Sequence, residues 1–426
     1  MQTDALGNAT GYTYDTAGNL ICVTYPDGIQ ELYAYDGAGN VTEKTGRDGL
    51  VTRYTYDPYG NVTEIIYPDG TKESYAYDSF GRLTAGTDIY GNRTTYSYDT
   101  LGRLAGFETA DGVRYEQSFA GNTTNIAGIT RGTDALSVSA YDSRGNLTEQ
   151  TDALGSCIRY TYDAWNQVTE AYDAAGNRTA YTYDEAGNCT TITYADGTSM
   201  QLSYDGCNRL TGVSAERESG TVSVGYAYDS MGNLTAFTDE LGNKTRYVYD
   251  ENSRLTGVYN AENHRTASYT YDAVGRIATE EDAAGIVSTY TYNGFDQPER
   301  IVMTAPSGEE KTYSYTYDGF GRLLSVTAPD GTAAGQTYDA YGNITGVISP
   351  MGGVTGYDYD NLGRITQETL SIGTKTMYTY NAEGLLSRYV NGRGQQKPSH
   401  TGRRHDLHAC KILQEPRYLR RMIPEP

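Results

Sequence analysis

The chain is short of most residue types that build an ordinary globular core or a catalytic centre. It has one tryptophan, six phenylalanines and four histidines in 426 residues. Three of those histidines, His400, His405 and His408, lie near the C-terminus, which leaves His264 alone in the rest of the chain. No Ser/His/Asp or Cys/His arrangement is arguable from so few, and no phosphate-binding glycine loop is present. The five cysteines, Cys22, Cys157, Cys189, Cys207 and Cys410, are odd in number and widely scattered, which excludes a legible disulfide framework or paired metal ligands. No apolar run approaches the roughly 18 residues of a spanning helix. The opening "MQTDALGNATGYTYD" has neither a basic n-region nor an apolar stretch, so no signal peptide is expected in this chain. Positive charge is scarce: 33 Lys+Arg face 54 Asp+Glu, for a net charge of −21. That balance argues against nucleic acid or an anionic membrane as the main partner, and its dispersal along the chain marks a solvated surface. With no spanning run, no membrane insertion is expected.

What is abundant is tyrosine, with 43 residues, and glycine, with 50. A core needs no such skew; a periodic architecture does. The last Tyr of a Tyr-Asp phrase falls at 14, 35, 56, 77 and 98, with Phe119 at the next step. It resumes at 141, 162, 183, 204, 228, 249, 271, 292, 317, 338, 359 and 380. These eighteen copies are mostly 21 residues apart, with longer gaps of 22, 24, 22 and 25. Two of the longer gaps hold "SAERESG" (214–220) and "APSGEEK" (305–311), which are expected to be absorbed in exposed turns.

Each copy divides into two strands. Alternating tyrosines, as in Tyr54-Thr55-Tyr56 and Tyr75-Ala76-Tyr77, put both rings on one face of a strand. The returning half, "NVTEIIY" (61–67) or "RLTAGTD" (82–88), is rich in β-branched residues. Turn signals such as Pro68-Asp69-Gly70 and "DALG" (152–155) separate the halves, which predicts a β-hairpin unit. The position three residues after the Asp is Gly in thirteen of the eighteen copies. Asn166, Asn208 and Asp296 replace it in three more, and these residue types best tolerate a left-handed backbone. Only Thr123 and Ser253 break the pattern. The position therefore reads as a turn with φ > 0. Tyr56-Asp57-Gly60, Tyr77-Asp78-Gly81 and Tyr98-Asp99-Gly102 are structural turn residues on this reading, with each Asp bonding nearby backbone N–H groups. A catalytic or metal-binding carboxylate is the other reading. No catalytic, cofactor-binding or metal-ligating residue is assigned, and no cofactor is expected.

Eighteen hairpins in series predict an all-β fold: one antiparallel ribbon of roughly 36 strands. Because open sheets rarely exceed ~10 strands without curling, the ribbon must coil into a spiral sheet or partial shell. Its aligned tyrosines form either a stacking ladder or a ring-lined carbohydrate-binding surface. Unpaired strands at the ends invite self-association through sheet edges.

The phrase in "YTYDPYGNVT" (54–63) and "YTYDAVGRIA" (269–278) resembles the YD repeat of the Rhs-repeat family. The same repeat occurs in wall-associated WapA-type proteins, the B and C subunits of Tc toxin complexes, and teneurins. The resemblance covers about residues 3–392. It implies a spiral β-sheet shell, in bacterial members enclosing a C-terminal toxin used in competition or delivery. On it, the chain is expected to be a noncatalytic shell segment of a secreted or cell-surface parent protein. Its partners would be the remainder of a larger Rhs-like shell or the toxin cargo. A cell-surface adhesion or carbohydrate-binding module is the alternative. The opening "TDALGN" (3–8) matches the mid-repeat turns "TDELGN" (238–243) and "TDIYGN" (87–92), so the first copy starts in its second half. No "GRF"-containing, Asp-Pro-rich stretch and no aspartyl self-cleavage motif follow the last copy. The chain is accordingly expected to be a fragment lacking the core-associated and toxin regions.

Two regions result: a repeat array over 1–390 and a basic tail over 391–426. The tail holds eight Lys+Arg against three Asp+Glu and loses the tyrosine register, with Thr401 where a Tyr is due. It reads as disordered or as translated out of frame. "HDLHAC" (405–410) superficially suggests a metal cluster, but its spacing fits no standard zinc pattern. The recurrent Asn-x-Thr triplets, such as Asn61-Val62-Thr63, follow from the repeat itself and are poor evidence of glycosylation. Trp165 stands where most copies carry a small turn residue, a surface variation.

Overall fold

A computed structural model describes residues 1–217, 220–381 and 386–398. The tail beyond Pro398, with its histidines and Cys410, lies outside the described residues.

The repeat unit is a hairpin whose arms follow local preference. In Val51–Tyr56 the tyrosines alternate with Arg53 and Thr55, and the return strand Val62–Ile66 is almost wholly β-branched. Tyr54 faces Ile65 and Thr55 faces Glu64. The hairpin then pairs onward, Glu64 with Ser74 and Ile66 with Lys72. The same step repeats along the chain, each strand pairing antiparallel with the next in sequence. The described residues contain 38 strands, slightly more than two for each Tyr-Asp copy, and no helix. No helix is therefore long and apolar enough to cross a membrane.

The two rims of this ribbon differ. At the Tyr-Asp turns the pairing slips by one residue: Thr55 faces Glu64, but Tyr56 faces Val62. The same bulge recurs at Ala76/Tyr77 and Ser97/Tyr98. The mid-repeat hairpins joining Val41–Thr45 to Val51–Tyr56 and Val62–Ile66 to Lys72–Tyr77 show no such slip. Bulges bend and over-twist a strand, so a bulge placed repeatedly along one rim curls the ribbon consistently.

The inserts are not simple surface loops. "SAERESG" lengthens both arms of its hairpin, Leu210–Arg217 and Gly220–Tyr228, with Arg217 facing Gly220. Around "APSGEEK" the arms grow likewise, to Pro298–Thr304 and Glu310–Tyr317. Residues added to both arms of an antiparallel pair continue the ladder and satisfy one another's backbone groups, which costs less than an unpaired loop.

Because the sheet is one layer deep, few side chains are fully buried. The largest cluster joins Ile301, Tyr315, Val326 and Ala334, on the tyrosine face of successive strands. Elsewhere that face is half-buried and the Thr/Arg face is exposed, as the alternation in Val51–Tyr56 illustrates.

The ribbon returns to itself. Asn252 donates to Asp4 and accepts from the Ala5 N–H at 2.8 and 3.1 Å. Arg47 bonds Asp296 at 3.1 Å, and the Tyr90 hydroxyl bonds Asn343 at 3.0 Å. These contacts span 247 to 253 residues in a constant order, so one lap of the spiral takes about twelve repeats. At every one of them a mid-repeat turn of the first lap meets a Tyr-Asp turn of the second.

Candidate functional site

The repeated element with the most elaborate chemistry is the Tyr-Asp turn. At Asp57 one carboxylate oxygen accepts from the backbone N–H of Tyr59 at 2.8 Å and of Asn61 at 3.0 Å. The other accepts from the Asn61 side chain at 2.8 Å. Backbone bonds from Gly60 to Asp57 and from Asp57 to Asn61 close the loop. Gly60 sits at φ +87°, in the left-handed region. Asp78 is held in the same way, except that Arg82 replaces Asn and donates Nε–H at 2.7 Å. Asp99 repeats this with Leu101 and Arg103. Gly81 and Gly102 are left-handed as well, at φ +76° and +79°.

The same conformation is kept where glycine is absent. Asn166, Asn208 and Asp296 all have φ between 58° and 67°. Ser253, an exception in sequence, is no exception in structure, with φ 60°. Its hydroxyl accepts from Asn233 of the preceding turn at 3.1 Å, and that bond helps hold it there. Thr123 is the real departure. Its loop is one residue longer, closing from Ala120 N–H to the Asn125 carbonyl, and Gly121 takes the positive φ at 58°.

These bonds set the electrostatics. The Asn61 side chain holds the Asp57 carboxyl below its usual value, and the Arg82 side chain does so for Asp78. At Asp99 burial opposes the shift, but backbone and side-chain bonds from Arg103 prevail and the carboxyl is again lowered. Carboxylates so fully engaged with their own loop are poor candidates for proton transfer or metal ligation. Among the described residues no group of three or more His, Cys, Asp or Glu is placed to hold a metal ion.

Tyrosine ties one turn to the next. The Tyr56 hydroxyl donates to the Val41 carbonyl at 2.7 Å, 15 residues back. Val41 opens the bulge of the preceding hairpin, where it faces Tyr35. A bulge disrupts the ladder and leaves backbone groups to be satisfied from outside it. Fifteen copies make this bond, Tyr98 to Leu83 among them, at 2.6 to 3.0 Å. Tyr77 keeps the bulge and is half-buried, and that burial raises its hydroxyl above the ordinary value.

The residue after the glycine makes a second tie. Arg82 stacks over the Tyr98 ring at 4.6 Å, and Arg364 over Tyr380 at the same distance. Asn146 instead reaches the Asn166 side chain at 2.9 Å. Where Phe119 lacks a hydroxyl, Arg103 stacks over its ring at 4.1 Å and bonds the Gly121 carbonyl at 2.9 Å.

In several copies the other tyrosine of the pair meets a carboxylate on the same face. Tyr33 donates to Glu31 at 2.9 Å; burial and that bond push its hydroxyl up to about 12. Tyr290 donates to Glu280 at 3.1 Å, and burial raises it too.

Sequence reasoning located the turn residues but missed the donor-acceptor use of tyrosine and the contacts between laps. A signal for the first existed: 43 tyrosines against six phenylalanines implies that the hydroxyl, not only the ring, is used.

Comparison with known proteins bears on this geometry. A family model described as the teneurin YD-shell matches residues 140–332. One described as the RHS repeat matches 2–30, 35–72, 74–114 and 338–374. No curated protein matches the chain. Among solved structures, the crystal structure of TcdB2-TccC3-TEV aligns with TM-score 0.72 and 16% identity, over 92% of this chain and 25% of that one. The Photorhabdus luminescens Tc holotoxin pore aligns with TM-score 0.64 and 16% identity, over 90% of this chain and 25% of that one. TcdB2-TccC3 without its hypervariable C-terminal region gives 0.60 and 16%, over 94% and 25%. At such identity the likeness is one of fold, and the chain spans about a quarter of the length of the solved chains it resembles. The two repeat models together cover most of the chain. The chain belongs to the YD-repeat (RHS-repeat) family.

Proposed function

We propose that the chain is a noncatalytic wall segment of a toxin-delivery shell of the Rhs or WapA kind, belonging to a secreted or cell-surface parent protein. The observation that carries this reading is the closure of the ribbon into stacked laps through turn-on-turn contacts. A ribbon coiled in this way encloses a volume. Its turn carboxylates are occupied by their own loops, which leaves the wall structural. The likeness to a Tc holotoxin, and to TcdB2-TccC3 without its hypervariable C-terminal region, supports a cargo enclosed by such a wall. The wall is residues 1–390, with the short strand Gln396–Pro398 pairing onto Leu386–Val390 at its C-terminal end. Tyr56, Asp57, Gly60 and their equivalents at 77–81 and 98–102 act as structural turn residues. A polypeptide co-expressed directly downstream is expected to resist protease in the assembled particle and to be cut when free. Equal digestion in both settings overturns the proposal.

An adhesion or carbohydrate-binding surface is the alternative, favoured by the exposed Trp165 ring in an open cleft with Asp163, Gln167 and Glu185. Retention on a glycan array, abolished by Trp165→Ala, would favour it.

A further inference from the structure

The spiral has one interface that it uses internally and leaves half-used at its outer rims. At one place where laps meet, the second residue after the turn Asp supplies the contact from both sides. Tyr341 of a Tyr-Asp turn packs on Tyr90 of a mid-repeat turn, with ring centroids 5.0 Å apart. Phe320 lines a shallow groove with Pro68 and Ile89 of the first lap. Tyr341 and Phe320 are 47% and 42% exposed, and Phe295 and Leu362 are half-buried.

Among the described residues, the equivalent residues of the first lap's Tyr-Asp turns from 59 to 101 are largely exposed. Tyr59 and Phe80 are 84% and 82% exposed, and Leu101 projects beside them. On the opposite rim, Leu241, Met351 and Ile372 occupy the place Tyr90 takes in its own turn, and are 86%, 97% and 81% exposed. The molecule thus presents an apolar row on three successive Tyr-Asp turns and, on the opposite rim, an apolar pair at Met351 and Ile372; Leu241 stands apart from that pair, across turns carrying Glu262, Ala284, Ser307 and Asp330. Each has the chemistry of one side of the interface formed inside it.

We propose that a second copy of this chain covers them: the Tyr-Asp rim at residues 59–101 of one copy docks on the mid-repeat rim around 351–372 of the next. The two surfaces are different patches, so the contact is heterologous and does not close; it builds a continued spiral of chains. Tyr59, Phe80 and Leu101 take the roles of Phe320, Tyr341 and Leu362, and polar pairs like Tyr90–Asn343 and Asn252–Asp4 set the register. This mode uses side chains at the turns, and is distinct from pairing of open strand edges, which uses backbone N–H and C=O groups. The net charge of −21 opposes it, so association strengthens as salt rises from low to physiological ionic strength.

Sedimentation of the full chain across micromolar concentrations tests it. The chain is expected to form open-ended oligomers. The variant Tyr59→Ser/Phe80→Ser/Leu101→Ser and the variant Met351→Ser/Ile372→Ser should each associate at least tenfold more weakly, with unchanged β-sheet circular dichroism. Each variant keeps one intact rim, so an equimolar mixture of the two should restore association and stop at heterodimers. A monomeric parent chain, or oligomers undiminished in both variants, overturns the proposal; the second outcome is the signature of strand-edge pairing. A mixture that stays monomeric overturns it as well.

Discussion

At the scale of the residue, the repeat is a set of small obligations discharged locally. The turn Asp accepts the N–H groups that a tight loop would otherwise leave unpaired, and Gly60 supplies a backbone state that costs an L-residue about 1–2 kcal/mol. Gly60→Ala should therefore lower stability by about 1 kcal/mol, read as a shift in urea midpoint. No collision would cause this, since an added Cβ meets only Asn40 Oδ1, at 3.5 Å. Tyr56→Phe strips the hydroxyl from the Val41 carbonyl and should cost about 1 kcal/mol, with faster hydrogen exchange confined to the neighbouring hairpins. An unchanged midpoint and unchanged exchange would show that the bond contributes nothing. The turn carboxyls at Asp57, Asp78, Asp142 and Asp184 are all lowered, first by side-chain bonds from the residue four positions on. A carboxyl lowered on folding adds stability that is present above its unfolded value and lost as pH falls through the folded one. Acid unfolding should thus begin below about pH 4 and steepen downward, because many identical turns titrate together. A midpoint indifferent to pH between 5 and ~2 would contradict this.

At the scale of the element, hairpins are identical enough to stack and different enough to be joined. In most copies the bulge presents the carbonyl that the next tyrosine satisfies, so a structural irregularity of one hairpin becomes the docking point of its neighbour. Arg or Asn after the glycine adds a bond whose strength varies from copy to copy. Burial raises several of the stapling tyrosines, Tyr56, Tyr162 and Tyr249 among them, and it pushes Tyr359 up to about 12. The sign is opposite to that of the aspartates. A hydroxyl raised on folding contributes stability that is full below its unfolded value near pH 10 and is lost as pH rises through the folded one. Tyrosinate absorbance should therefore lag free tyrosine and rise together with loss of the sheet signal. Titration near pH 10 with an intact sheet would separate the tyrosines from the packing.

At the scale of the whole molecule, stability between hairpins is local but shape is not. Among the described residues the lap contacts include Asn252 on Asp4, Arg47 on Asp296, Tyr90 on Asn343 and Tyr341, and Asn92 on the Asn361 carbonyl. Arg47 is held from both laps, bonding Asp27 at 2.7 Å as well, and stacks over the Tyr25 ring. Arg47→Ala together with Tyr90→Ala should let the second lap open. A larger radius of gyration by X-ray scattering, at unchanged circular dichroism, is the expected result. An unchanged radius would mean that hairpin curvature alone sets the spiral.

The sequence by itself determined the unit and its repetition. The 21-residue period, the alternating tyrosines and the Gly/Asn/Asp substitutions are local rules, and strand, turn and left-handed φ obey local sterics. Even Asp57 as a loop acceptor was legible, because its partners lie within four residues. Tertiary structure alone decided the rest. The tyrosine hydroxyl finds its carbonyl 15 residues away, at a bulge that no residue type announces. Ser253 keeps the turn with a bond from Asn233 of another hairpin added to those of its own loop. The extra residues of 214–220 lengthen strands because they have one another to pair with. Contacts 247 to 253 residues apart depend on the summed twist and curvature of some two dozen strands. A small change per hairpin accumulates over a whole lap, so Asp4 meets Asn252 only once the geometry of every intervening hairpin is in place.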